Sequence, residues 1–238
     1  MRSSAFRFRA GIAALLLLAL LAGGAGLGLG VRLPRVSDLW PLDLARPGGV
    51  LVSRQLADLR TDYGLCRSVL IAPQIESKPV PDGSPGPGCG WFNAVQTTRV
   101  AGARLGVMPV TCELAAAVAL WMEHVVQPRA LELLGSKVAA VDHLGSYACR
   151  NIRGSPGGDD ERSEHASANA LDVNGFRLAD GRRVRVLSDW GRDTPEGRFL
   201  AAIHSGACRY FSVAIGPAYN EAHRDHFHFD RGDAWACQ

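Results

Sequence analysis

The chain has 238 residues, of which 47% are hydrophobic, with 26 basic and 23 acidic side chains. That apolar content excludes a disordered chain, and 27 Gly and 13 Pro without a period exclude a collagen-like one. The formal charge of +3 is supplied by Arg2, Arg7 and Arg9; the remainder balances, which argues against nucleic acid as a partner.

Ala10 to Val31 is a 22-residue run without a charge. A membrane-spanning helix needs about 20 such residues, and the preceding arginines would stay in the cytoplasm. A cleaved signal peptide is the competing reading, with Gly23-Gly24-Ala25 as its small-residue site. Both readings export the residues that follow. The expected organisation is therefore a signal anchor or signal peptide over 1–31, a juxtamembrane arm over 32–60 packing onto the domain, and one domain over 61–238. The localisation that follows is the inner membrane, single-pass, with the domain in the periplasm. The alternative is release into the periplasm after cleavage.

Pro79 to Gly90 holds four Pro and four Gly and reads as a loop. Trp91 to Val110 has β-branched stretches that suit strands. Cys112 to Val126 reads as a helix with Glu113 in its first turn, and Pro128 opens a second helix ended by Gly135. Val138 to Val141 reads as a strand, and Gly154 to Arg162 as a loop. Leu171–Leu178 and Arg182–Leu187, joined by Ala179-Asp180-Gly181, read as a β-hairpin. Thr194-Pro195 starts a helix that should stop at Gly206. Tyr210–Ile215 and His226–Asp230 read as the last strands. Helices first and a strand-rich second half predict an α+β fold with N-terminal helices packed on a mainly antiparallel sheet.

Six cysteines, Cys66, Cys89, Cys112, Cys149, Cys208 and Cys237, are too dispersed for a zinc knuckle. An even count behind an export signal reads as disulfides, with the pairing open among 15 possibilities.

Three of seven histidines fall within His223-Arg224-Asp225-His226-Phe227-His228-Phe229-Asp230. In a strand, His226, His228 and Asp230 share one face and the two Phe the other. A second segment, Ser163 to Asp172, places His165 and Asp172 seven apart with small residues between. On one helix they would stand about 10 Å apart, too far for one metal ion, so a tight turn has to bring them together. Two imidazoles and a carboxylate from these segments make a three-ligand set with room for water, the composition of catalytic zinc sites.

This pattern is similar to the LAS metallopeptidases, the lysostaphin-type endopeptidases, D-Ala-D-Ala carboxypeptidases and hedgehog fold. The closer resemblance is to the bacterial extensin-like C-terminal domain family. It rests on Gly145-Ser146-Tyr147-Ala148-Cys149-Arg150, Ser163-Glu164-His165-Ala166, Ala170-Leu171-Asp172-Val173, Phe176 and His223 to His228. It implies an LAS/hedgehog-like fold with Zn2+ held by His165, Asp172 and His228. It implies a general base at Asp225 or His226, with alternation favouring His226. Arg150, or its rival Arg153, matches the arginine that holds the substrate carboxylate, and His223 is a further substrate-side candidate. Tyr147 and Trp190 read as packing, and His124, His143 and His204 as structural. The function implied is a membrane-tethered periplasmic zinc peptidase acting on peptidoglycan peptides. The alternative is a non-catalytic, zinc-stabilised envelope scaffold.

Overall fold

The computed structural model describes residues 35–152 and 161–238. The apolar 10–31 run, Arg153 and most of the 154–162 loop lie outside the described residues. Among the described residues no helix is long and apolar enough to cross a membrane. The chain divides into two units after Leu39. In the first lies one helical turn, α1 (Val36–Leu39).

The second unit opens with a segment expected as part of an arm. Its Leu42, Leu44, Val52, Leu56 and Leu59 are buried in the core. It contains α2 (Val52–Asp58) and leads into α3 (Tyr63–Leu70), capped where Asp62 accepts from the Leu65 N–H at 2.8 Å. Five strands follow: β1 (Ile75–Pro79), β2 (Gly83–Gly86), β3 (Cys89–Trp91), β4 (Ala94–Val100) and β5 (Ala103–Thr111). These correct two expectations. Strands begin at Ile75, ahead of the 91–110 stretch where they were expected and where β4 and β5 lie, and the 79–90 stretch holds the β2–β3 ribbon rather than a plain loop. The ribbon has almost no side-chain signal, and Gly90 sits so close to the Gly83 carbonyl that a Cβ would lie 2.2 Å from it.

The central helix is continuous where two were expected. It comprises α4 (Cys112–Trp121), a π turn over Met122–Val126 and α5 (Gln127–Leu134). A wider turn absorbs Pro128, which can neither donate an N–H nor sit against the carbonyl four residues back. Then come β6 (Val138–Gly145), a 3-10 turn (Glu164–Ser167), β7 (Ala170–Leu178), β8 (Arg183–Arg185), α6 (Val186–Asp189) and α7 (Pro195–Ala207). Gly206 does not stop α7: a Cβ there would lie 2.5 Å from Val125, so this glycine permits helix contact. The last elements are β9 (Val213–Ile215), a 3-10 turn (Glu221–His223), β10 (Phe227–Asp230) and β11 (Ala236–Cys237).

Among the described residues, nine strands form one sheet in the order β1-β4-β5-β6-β7-β10-β9-β11, with β8 on β7. The β5–β6 and β9–β11 pairs are parallel and the others antiparallel. The class is α+β, as the sequence predicts. One face of the sheet is apolar: Leu171, Val173 and Phe176 of β7, with Phe227 and Phe229 of β10, are fully buried. Trp121 packs there at a tilt against Phe229 at 4.9 Å and Phe176 at 6.2 Å, and its indole N–H donates to the Ile203 carbonyl at 2.9 Å. Alternation then turns Asp172 of β7 and His228 of β10 to the opposite, open face.

Disulfides Cys66–Cys112, Cys89–Cys149 and Cys208–Cys237 account for all six cysteines. His204 lies in the apolar layer against Phe227, and burial pushes its pKa down. It therefore folds neutral. Below about pH 6.5 the unfolded chain takes up a proton that the folded chain resists, so stability falls with acid by up to about 1.4 kcal/mol per pH unit. Denaturant melts between pH 7 and 5 should show a shallower loss for His204→Phe than for the wild type.

Candidate metal centre

Each donor is placed by local structure. Ser163 caps the 3-10 turn, its hydroxyl accepting from the His165 N–H at 3.4 Å. The turn ends at Ala168, held left-handed at φ 54°, and β7 begins at Ala170. This is the tight bend that the small residues foretold. It carries His165 back over Asp172, Nε2 to Oδ1 3.1 Å. His228 comes from β10, whose register sets it directly opposite Asp172. Its Nδ1 is 2.9 Å from Asp172 Oδ1 and 3.2 Å from His165 Nε2.

Three donor atoms thus form a triangle. Zinc–ligand bonds near 2.1 Å with tetrahedral angles require ligand separations of about 3.4 Å, so edges of this size fit one ion with little movement. The hydrogen bonds behind the triangle agree with that use. His165 Nδ1–H donates to the Ser146 carbonyl at 3.2 Å, which leaves Nε2 with its lone pair toward the centre. His228 Nε2–H donates to Asp230 Oδ2 at 3.1 Å, which leaves Nδ1 likewise. A carbonyl or carboxylate behind a ligating imidazole fixes its tautomer and raises its basicity. The residues present therefore fit a zinc ion.

Without an ion the cluster holds a proton. Burial favours neutral Asp172, yet the facing His165 and His228 rings overcome it and hold the carboxyl well below the usual carboxylate range. Burial also opposes charge on His228, but hydrogen bonds to Asp172 and Asp230 outweigh it and raise its pKa to about 9. Metal binding would displace that proton.

The two candidate bases are arranged in series. His226 precedes β10, yet its Nε2 is 3.8 Å from Asp172 Oδ1, and its Nδ1 donates to Asp225 Oδ1 at 2.8 Å. Asp225 thus stands behind His226. His223 lies on the short 221–223 turn, its ring 5.2 Å from that of His226 and 5.9 Å from that of His228. Its Nδ1 donates to Asn220 Oδ1 at 2.6 Å. Burial, then the neighbouring His228 and His226 charges, lower its pKa to about 4. Arg150 lines the same cleft of about 450 Å3 as His223, Tyr219, His228 and Asp230. All seven predicted site residues therefore lie at or around one centre.

The residues set aside on sequence behave as packing. Tyr147 meets Trp91 edge-on at 5.0 Å, Trp190 packs on Phe227 at 5.2 Å, and the His124 Nε2 contacts the Leu44 carbonyl at 3.0 Å. Sequence reasoning missed two supporting groups. Asp230 carried a signal, its place two after His228 on the same strand face. The Ser146 carbonyl carried none, because a backbone group leaves no mark in composition.

Residues 64–238 match the family described as Extensin-like protein C-terminus. Neither a curated protein nor a solved structure gives a significant match. The family match covers well over half of the sequence and spans the whole His165–Asp172–His228 centre, so the chain belongs to the extensin-like protein C-terminus family.

Proposed function

We propose that the protein is a zinc-dependent peptidase of the bacterial periplasm, tethered by its N-terminal apolar segment and acting on peptidoglycan stem peptides or cross-links. The observation that carries the reading is the His165–Asp172–His228 triangle opening onto a cleft. Its likeness to LAS metallopeptidases and their fold rests on the HxxxxxxD and HxH spacings. The export signal and three disulfides suit an oxidising space outside the cytoplasm.

When bound, zinc supplies Lewis-acid polarisation and acidifies water to a pKa near 7. The chain does the rest. His226 accepts a proton at Nε2, while Asp225 holds the opposite nitrogen and stabilises the imidazolium formed. Of the two candidates, His226 is therefore the base and Asp225 positions it. Arg150 faces the same cleft and offers a fork for a peptide carboxylate. His223, kept neutral with its proton on Nδ1, presents an Nε2 lone pair to the cleft and accepts a substrate N–H there.

The test is zinc content together with muropeptide release by the full chain. His226→Ala should keep its zinc and lose about 10²–10⁴ of turnover, the usual range for a positioned base. A wild-type protein that binds zinc stoichiometrically, melts lower in chelator and releases nothing would instead select the scaffold reading.

A further inference from the structure

Lateral register places an unusual row on the sheet. Arg99 of β4 faces Arg104 of β5, which pairs with Ala140 of β6, then Arg177 of β7, then Arg183 of β8. Arg185 lies in the next row, level with Gly175 and Asp142. Side chains at paired positions share a face, and strands are about 4.8 Å apart, so the cations are crowded. Like charges directly opposite destabilise a sheet. Two of them are neutralised: Arg99 by Glu76 at 3.6 Å and Arg177 by Asp142 at 2.8 Å. Arg104, Arg183 and Arg185 are exposed and have no carboxylate partner among the described residues.

These side chains line a shallow groove of about 600 Å3. Its floor adds a second observation: His143 Nδ1 and Asn174 Oδ1 are buried there without a hydrogen-bond partner. Asn174 is where the β6–β7 register slips, since Asp142 pairs with Gly175 and His143 with Val173. The slip keeps Asp172, Asn174 and Arg177 all on the open side, with Val173 and Phe176 in the core. The groove therefore continues the face that carries the metal centre, on the same strand, roughly 15 Å beyond it.

We propose that this arginine groove is a distal subsite that binds the carboxylates of the stem peptide whose scissile bond lies at the His165–Asp172–His228 centre. The inference rests on the peptidase reading. Arginine forks pair bidentately with carboxylates, which supplies the missing counter-charge. The unpartnered Asn174 carbonyl oxygen accepts a peptide N–H, so a peptide suits the floor better than a bare anion does. Stem peptides carry both groups.

The experiment is co-sedimentation of the full chain with purified peptidoglycan sacculi, in chelator so that no turnover intervenes. Sacculi with carboxylates chemically amidated serve as the second probe. Arg104→Gln/Arg183→Gln/Arg185→Gln should lower affinity for native sacculi by at least roughly tenfold, and amidation should do the same to the wild type. Arg54→Gln/Arg129→Gln/Arg198→Gln removes equal charge elsewhere and should bind as the wild type does. The inference is overturned if the groove variant binds native sacculi normally, if amidation has no effect, or if the remote variant weakens equally. Melting temperature checks that the variants fold. Arginine-dependent binding without muropeptide cleavage by the zinc-loaded wild type would sink only the peptidase reading. Cleavage with normal binding by the groove variant would sink only the subsite.

Discussion

Asp172→Asn is expected to reduce zinc affinity by well over the roughly 10–100-fold that loss of an outer hydrogen-bond partner costs. The substitution is nearly isosteric, so packing on β7 survives. What changes is charge. Asp172 Oδ1 lies within 3.1 Å of both donor nitrogens and is the one formal anion of the triangle. A neutral amide is a poorer ligand for a divalent ion and presents an N–H2 that competes for the histidine lone pairs. Asp230→Asn, acting only through His228 Nε2, should fall within the 10–100-fold range. Competition against a fluorescent chelator reads both. Wild-type affinity in Asp172→Asn would remove the metal centre from consideration and with it the peptidase reading.

Glu113→Gln should lower stability by about 3–5 kcal/mol, the range for breaking a buried ion pair by removing one partner. Glu113 is fully buried at the start of α4. Its Oε2 accepts from Arg60 Nε at 2.8 Å, and its Oε1 from Arg231 Nη2 at 2.7 Å and Nε at 2.9 Å. Arg231 is itself buried and also donates to the Ser53 carbonyl at 3.0 Å and the Tyr210 carbonyl at 3.3 Å. One carboxylate thus ties α2, α4 and the chain after β10 together. Gln leaves the Arg231 charge uncompensated. For a chain of this size the melting temperature should drop by about 6–20 °C. Glu113→Leu/Arg231→Met should recover much of that, because it removes both charges at once. A Glu113→Gln protein that melts like the wild type would show that the network is not structural.

The donors were legible because their signal is local. HxxxxxxD with small residues between can meet only through a bend, and HxH on a strand must point one way. Much of the fold was legible for the same reason: the Thr194-Pro195 start and the 171–187 hairpin are written in adjacent residues. What escaped depends on partners far along the chain. Glu113 looked like an ordinary first-turn acid, since nothing near it announces Arg60 and Arg231. Alternation already favoured His226 over Asp225, but that Asp225 stands behind it, on the opposite ring nitrogen, was not legible from spacing. The arginine row exists only through the alignment of β4, β5, β6, β7 and β8, a register that no single segment encodes.

All six cysteine sulfurs are taken up in crosslinks, and the candidate donors are nitrogen and oxygen only. Thiolates are the side chains that oxidants convert most readily, whereas imidazole and carboxylate ligands have no such ladder to climb. The surroundings that knit the scaffold together therefore leave the donor set chemically untouched. Reductant and chelator become independent handles, one loosening the frame and the other emptying its centre.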